Sequence, residues 1–292
     1  MKKTYVVLVT GATSGIGRAT ALELARAGHR VFAVGRRQAA LEALEAEAKG
    51  LCLETLTMDV TSAASIAAAK DEIQRRTNGH GVDVVVNNAG YGTGGPVEAV
   101  SDAAFRAQYE TNVFGLMAVT RAFLPSMRAR RWGRVINISS VGGRVTLPML
   151  GVYNSSKYAV ESLSDALRIE LAPFGVKVVI VEPGSIRSEF VEVTMATIPD
   201  ASGSHYAGAV RQAAAFRKMF DGSAVGPEHV TSAIRTAIES KRPAARYVRP
   251  WRTYAMLWLK WFLPTHWVDA IMARLTGLTR KQLRAGEPVA SS

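Results

Sequence analysis

The sequence predicts an α/β protein built on a doubly wound parallel sheet of about seven strands, with a C-terminal amphipathic helical extension. Three observations carry this expectation. Short β-branched runs alternate with longer segments whose apolar residues recur every three or four positions, the change of period that separates strand from helix. The strand runs are apolar on both faces, as a sheet covered by helices on both sides requires. A glycine-rich turn, "TGATSGIG", lies between the first strand and the first helix.

In chain order the elements read strand "YVVLVT", helix "GIGRATALELARAG", strand "RVFAVG", helix "AALEALEAEAK", strand "LCLETLTM", helix "SIAAAKDEIQRR" and strand "DVVVNNAG". One long helical pattern follows from about Ser101 to Arg131, then the strand "GRVINIS". The helix "YNSSKYAVESLSDALRIELAPFG" is closed by Pro173 and Gly175, and the strand "VKVVIVEPG" comes after it. A less regular stretch from Ser185 to Asp221 precedes a helix opening at Pro227 and a last strand near "RYVRP". Residues 1–250 are therefore expected to form one domain and 251–292 the extension, with no internal repeat.

Composition narrows the class. The chain has 292 residues, 48% apolar and 21% charged, enough for a large core. Its one cysteine, Cys52, permits no internal disulfide, and its five histidines lack metal-ligand spacing. A reducing, cytoplasmic setting without structural metal is expected. The start "MKKTYVVLVTGATSG" imitates a signal peptide, but the glycine turn interrupts its apolar run, which suits a first strand instead. No window approaches the ~18 apolar residues of a membrane span. The net charge of +12 would admit nucleic acid or an anionic membrane as partner. From Lys241 onward, however, ten basic and two acidic residues place +8 of that charge on the tail, and no stacking platform or groove-reading motif points to nucleic acid.

In the glycine turn, Gly11, Gly15 and Gly17, with Thr13, Ser14 and Ile16 between them, open a helix directly after a buried strand. Free N–H groups at such a helix start can seat a pyrophosphate where no side chain blocks the backbone. A plain tight turn is the alternative, since the spacing is GxxxGxG rather than GxGxxG. The second strand ends in Gly35, Arg36 and Arg37 with no acid, which suits the 2′-phosphate of NADPH rather than the ribose hydroxyl of NADH. The same arginines would also suit the start of a solvated helix. Asp59 and Val60 end the third strand where an adenine would lie, although Asp59 could equally cap the next helix. In "VYNSSKYAV", Tyr153 and Lys157 share one helix face and Tyr158 does not, so the Lys157 ammonium is expected to ease ionisation of the Tyr153 phenol.

Taken in order, "TGATSGIG", "DV" at 59, "NNAG" at 87–90, "ETNVFG" around Asn112, "ISS" ending at 140, YxxxK at 153 and "EPG" at 182–184 resemble the short-chain dehydrogenase/reductase family in its single-domain Rossmann-fold subclass. The resemblance covers residues 4 to about 250, and local wording such as "SSVGG" and "VEPG" is most similar to steroid and retinol dehydrogenases. It implies Tyr153 as general acid/base, with Lys157 and the cofactor's positive ring together tuning the phenol, and Lys157 holding the nicotinamide ribose. It implies Ser140 as a hydrogen-bond donor to the reacting oxygen; Ser139 is the rival, but strand alternation points it to the other face. Asn112 would bend its helix and support a water-linked proton path to the lysine. Asn88, Ala89 and Gly90 would line the cofactor cleft. Pro183, Gly184, Ile186 and Ser188 would flank the nicotinamide, Ser188 standing where the family often has threonine.

The segments after Ser140 and Glu189 add Val145, Leu147, Met149, Leu150, Phe190, Val191 and Met195, a lining that favours an apolar ketone or secondary alcohol. A helical projection of the tail gathers Trp251, Tyr254, Trp258, Trp261 and Phe262 on one arc, suited to a flap over the cleft, a second subunit or peripheral contact with a membrane. By analogy, the 101–131 and YxxxK helices pair subunits into a dimer or tetramer. The sequence thus predicts an NADP-dependent carbonyl reductase or alcohol dehydrogenase. The alternative is an NADP(H)-binding sensor or scaffold without turnover.

Overall fold

Seven strands, β1 (Val6–Thr10), β2 (Arg30–Gly35), β3 (Leu53–Thr57), β4 (Val84–Asn87), β5 (Gly133–Ile138), β6 (Val176–Pro183) and β7 (Arg246–Arg249), lie in one sheet in the order β3-β2-β1-β4-β5-β6-β7. Every pairing is parallel. The chain winds outward from β1 in one direction and from β4 in the other. A crevice therefore opens at the carboxyl ends of these two neighbours. The computed structural model describes residues 3–198, 205–210, 222 and 224–284. Part of the irregular stretch expected over 185–221 and the last eight residues of the tail lie outside them.

Alternation along the strands divides the core. Val7 and Val9 point to one face, where Leu22 of α1 (Gly15–Arg26) and Ile234 of the helix Glu228–Glu239 pack. Leu8, Val85 and Val135 point to the other, against Ile66 of the helix Ala63–Arg76, Phe123 of the helix Leu116–Ala129 and Leu167 of the helix Gly151–Leu171. Both faces are dry, which is why the strand runs carry few polar residues. The Gly151–Leu171 helix ends in a 3-10 turn closed by Gly175 at φ +70°, a left-handed stop that glycine adopts without strain.

The pattern expected as one helix from 101 to 131 runs as two α-helices, Asp102–Tyr109 and Leu116–Ala129, joined through a π-helical turn at Glu110–Gly115 that contains Asn112. Close packing accompanies the widening: a Cβ at Gly115 would lie 2.8 Å from the Val60 carbonyl oxygen and 3.0 Å from that of Glu110. The tail begins with the helices Thr253–Phe262 and Thr265–Leu275. Met256 and Leu257 pack on Val141, Val145 and Val248, which ties the tail to the segment following β5.

Candidate active site

At the end of β1 the backbone turns through Gly11 at φ +64°, and a Cβ there would meet the Ala89 Cα at 2.8 Å. The Asn88 amide donates to the carbonyls of Thr10 (3.0 Å) and Gly11 (3.2 Å), and the Thr10 hydroxyl accepts from the N–H groups of Asn88 and Ala89. These bonds fix the two sides of the crevice against each other. Ser14 precedes α1 in an extended conformation without capping it through its side chain, so the first N–H groups of the helix are left to what enters the crevice. A Cβ at Gly17 would lie 2.3 Å from the Gly11 carbonyl oxygen. Glycine is required there by packing behind the turn rather than by contact in the crevice.

The crevice broadens into a cleft of about 1880 Å3, ample for a dinucleotide with a second molecule beside it. Every residue expected at the cofactor or the reacting centre lines it except Gly17 and Asn112, which stand behind the wall. The closely packed glycines, the uncapped helix start and the arginines fit a dinucleotide phosphate chain. Arg37 donates to the Thr13 carbonyl (3.3 Å) and hydroxyl (3.4 Å) and lies 3.8 Å from Glu189 across the cleft. Asp59 accepts from the Thr61 N–H (2.9 Å) and hydroxyl (2.8 Å), and these bonds with the charge of Arg36 hold its carboxyl below the usual range against its partial burial. Ser62 caps the next helix instead, so Asp59 forms a local turn and is not that cap.

Tyr153 and Lys157 are both buried on one face of their helix, with the Lys157 Nζ 5.9 Å from the Tyr153 ring centroid. Ser140 lies beside the Tyr153 phenol; its hydroxyl donates to the Pro183 carbonyl at 3.4 Å and its oxygen accepts from the Gly142 N–H at 3.0 Å. Ser139 is turned toward Gly143 and Glu161. Lys157 donates to the Ile138 carbonyl at 2.8 Å. The expected easing of phenol ionisation is not what the protein alone produces. Burial pushes Tyr153 up to about 12, the neighbouring Ser140 hydroxyl offsetting only part of it. Burial also draws Lys157 down to about 8, against the charge of Glu161. Desolvation outweighs the neighbouring charge because both groups are dry.

The Asn112 side chain is fully engaged. Its amide donates to the Tyr91 carbonyl (3.0 Å) and the Ser156 hydroxyl (3.1 Å), and its oxygen accepts from the Tyr91 N–H (3.1 Å). It braces the segment after β4 against the Tyr153 helix. Sequence reasoning missed a second brace, Asn154, which donates to the Gly142 carbonyl (3.0 Å) and accepts from the Leu147 N–H (3.0 Å). The available signal was a polar residue at a buried helical position beside Tyr153. Of the roles expected for the tail, a flap over the cleft is in keeping with its share of the wall, where Trp251, Arg252, Thr253 and Met256 line the same space as Phe190 and Met195.

The short chain dehydrogenase family model matches residues 5–198. The chain is 35% identical to the uncharacterised oxidoreductase YbbO of Escherichia coli over 266 residues, covering 91% of this chain and 93% of that one. It is 34% identical to human 17-beta-hydroxysteroid dehydrogenase type 1 over 297 residues, covering 96% and 89%. Among solved structures, the closed form of a serine dehydrogenase complexed with NADP+ superposes with a TM-score of 0.72 at 30% identity, covering 83% and 93%.

Proposed function

The chain belongs to the short-chain dehydrogenase family, and from that premise we propose that it transfers a hydride between NADP(H) and an apolar ketone or secondary alcohol, with Tyr153 moving the proton. The observation that carries the reading is the convergence of Tyr153, Ser140 and Lys157 on the wall of one largely apolar cleft, with the Lys157 ammonium buried on the same helix face as the phenol. Bound in the cleft, the nicotinamide supplies or accepts the hydride.

The residues of this chain do the remainder. Gly11, Thr13, Ser14, Gly15 and Ile16 receive the pyrophosphate, and Gly17 keeps the turn close to Asn88. Arg36 and Arg37 would hold the 2′-phosphate, with no acid at the end of β2 itself and Glu189 3.8 Å from Arg37 on the other side of the cleft. Asp59 and Val60 border the adenine, and Asn88, Ala89 and Gly90 the middle of the cofactor. Pro183, Gly184, Ile186 and Ser188, which line the cleft, would border the nicotinamide. Lys157 holds the ribose hydroxyls and feeds a water-linked proton path that Asn112 braces. With its phenol held near 12, Tyr153 is protonated across the physiological range. The poised state is therefore the donor, as reduction of a carbonyl requires. Ser140 gives a second hydrogen bond to the same oxygen.

The substrate class rests on the lining, since the relatives' names span a steroid and an amino acid. Val145, Leu147, Met149, Phe190, Val193 and Met195 border the space beside Tyr153, and Trp251 with Met256 closes it from the tail. Exposed Phe114 and Ile169, on the elements expected to pair subunits, support a homo-oligomer, checked by light scattering. The deciding experiment follows NADPH absorbance over a panel of carbonyls. Steroid-like and long-chain ketones should exceed small polar ones in kcat/KM by about tenfold or more. The reverse order would remove the apolar substrate, and no turnover with any carbonyl or alcohol would remove the enzyme.

A further inference from the structure

The helices Thr253–Phe262 and Thr265–Leu275 have no buried residue, yet they carry Trp258, Leu259, Trp261, Phe262 and Trp267. Trp261 is 79% and Phe262 65% exposed. The aromatic rings form a continuous surface, Trp258 stacking on Phe262 at 5.6 Å and Trp261 meeting Phe262 edge-on at 5.0 Å. Large apolar rings gathered at the surface mark a place where water is excluded by something else. Three groups of observations decide what that is.

The first is charge. Between residues 251 and 284 the basic residues are Arg252, Lys260, Arg274, Arg280, Lys281 and Arg284, and the sole acid is Asp269. Arg252 lines the cleft and Lys260 is engaged with the body, but Arg274, Arg280 and Lys281 are exposed on the tail, so a second copy seated on it by a two-fold axis would bring cations toward their own counterparts with little to neutralise them. An anionic phospholipid surface supplies both the opposite charge and an interfacial zone that suits tryptophan. The second is length: among the described residues no helix is long and apolar enough to cross a membrane, so the face lies on the surface. The third is continuity. Trp251, Arg252, Thr253 and Met256 line the cleft, so the inner side of the same segment borders the site and the outer side carries the rings. Lys260 fixes the segment to the body by donating to the Tyr158 hydroxyl at 2.7 Å and to the Arg144 carbonyl.

We propose that the outer face of the tail docks on an anionic phospholipid surface and sets the mouth of the cleft against the lipid, from which an apolar substrate enters. The entry route rests on the apolar-substrate reading above; the docking does not. The test is flotation of the full chain with vesicles of phosphatidylcholine containing roughly one-quarter phosphatidylserine, and with phosphatidylcholine alone. Four of the five tryptophans lie from residue 251 onward, so intrinsic fluorescence reports the tail directly. Flotation and a blue shift are expected with the anionic vesicles, reversed by high salt. The variant W261E/F262E alters no residue lining the cleft and should keep NADPH binding and turnover of a water-soluble carbonyl. Its flotation should fall by about tenfold or more. Failure of the full chain to float, equal flotation with pure phosphatidylcholine, or equal flotation of the variant would overturn the proposal. A variant that turns a dimer into a monomer without changing flotation would assign the face to a second copy. Flotation retained in a preparation without turnover would count against the oxidoreductase reading and leave the docking standing.

Discussion

Lys157 places its ammonium 5.9 Å from the ring centroid of Tyr153, while the adjacent Tyr158 takes a different lysine, Lys260 of the tail, at 2.7 Å. Two tyrosines five positions apart on one helix thus belong to different environments, one dry and lining the cleft, the other exposed and tethering the tail. Tyr153→Phe should lower turnover by about a hundredfold to ten-thousandfold, the usual range for a lost proton donor, with NADPH binding little changed. Tyr158→Phe should leave turnover nearly intact and cost about 0.5–1.5 kcal/mol for its hydrogen bonds. Parallel kinetics and cofactor titrations of the two variants check this, and equal losses would show that the distinction by helix face is wrong.

The arginine pair gives a second expectation. A hydrogen bond to a charged group contributes about 1.5–3 kcal/mol, so Arg36→Ala with Arg37→Ala should raise the KM for NADPH by about tenfold to a hundredfold. The KM for NADH should move little, because it lacks the 2′-phosphate. Steady-state kinetics with both cofactors decide it. A wild-type protein that already prefers NADH would remove the assignment.

The sheet, its parallel sense and the place of the glycine turn were legible because they follow from short-range periodicity and from what a backbone turn permits. The cleft-lining positions from Gly11 to Ser188 were legible because the motifs keep their order along the chain. Asn154 was not, since its partners at Gly142 and Leu147 become visible only once the loop folds back. The tail's place in the wall depends on Val248, Val141 and Met256 meeting across more than a hundred residues, which no local pattern encodes. The phenol's acidity in the protein alone was not legible, because spacing reveals a neighbouring charge and says nothing of how dry the pair becomes.

That dryness has a signature in pH. The folded pKa of Lys157, about 8, lies below its unfolded value of 10.5, so the folded state releases this proton first. Stability linked to the group is present above 10.5 and lost as the pH falls through 8. Lys157→Met carries no such ammonium, so the wild type should gain stability relative to the variant between pH 8 and 10. Urea unfolding of both proteins across that window measures it, stopping at 10 because Tyr153 contributes in the opposite sense above it. A difference independent of pH would mean that the ammonium is solvated.

Gly17 offers a test of the crevice that needs no substrate. An alanine Cβ there would fall 2.3 Å from the Gly11 oxygen and 2.4 Å from the Asn88 amide nitrogen, so the turn or the asparagine must shift. Overpacking of this kind costs about 1–3 kcal/mol. Gly17→Ala should lower the melting temperature and weaken NADPH binding together, although the residue lies outside the cleft. Retained affinity would show that the turn yields without disturbing the phosphate seat.

The last expectation concerns Glu182, fully buried at the end of β6 beside the cleft. Its carboxylate stands 3.4 Å from Arg144 and 3.2 Å from Arg246, distances that suggest an ionised group. Arg246 is shared, however, with Glu161 at 3.1 Å and Asp165 at 2.6 Å, and Arg144 is partly solvated. Burial first and the Glu161 charge second raise Glu182 to about 7, and the two arginines only partly oppose them. The folded pKa therefore lies above the unfolded 4.5, so the contribution is present below 4.5 and lost as the pH rises through 7. Glu182→Gln is permanently neutral and leaves Arg246 its other two carboxylates. It should match the wild type near pH 4.5 and exceed it above pH 7 by on the order of 1–3 kcal/mol. Denaturant titrations at the two ends of that range are decisive: a variant less stable at both ends by the same amount would show that the arginines keep Glu182 charged throughout.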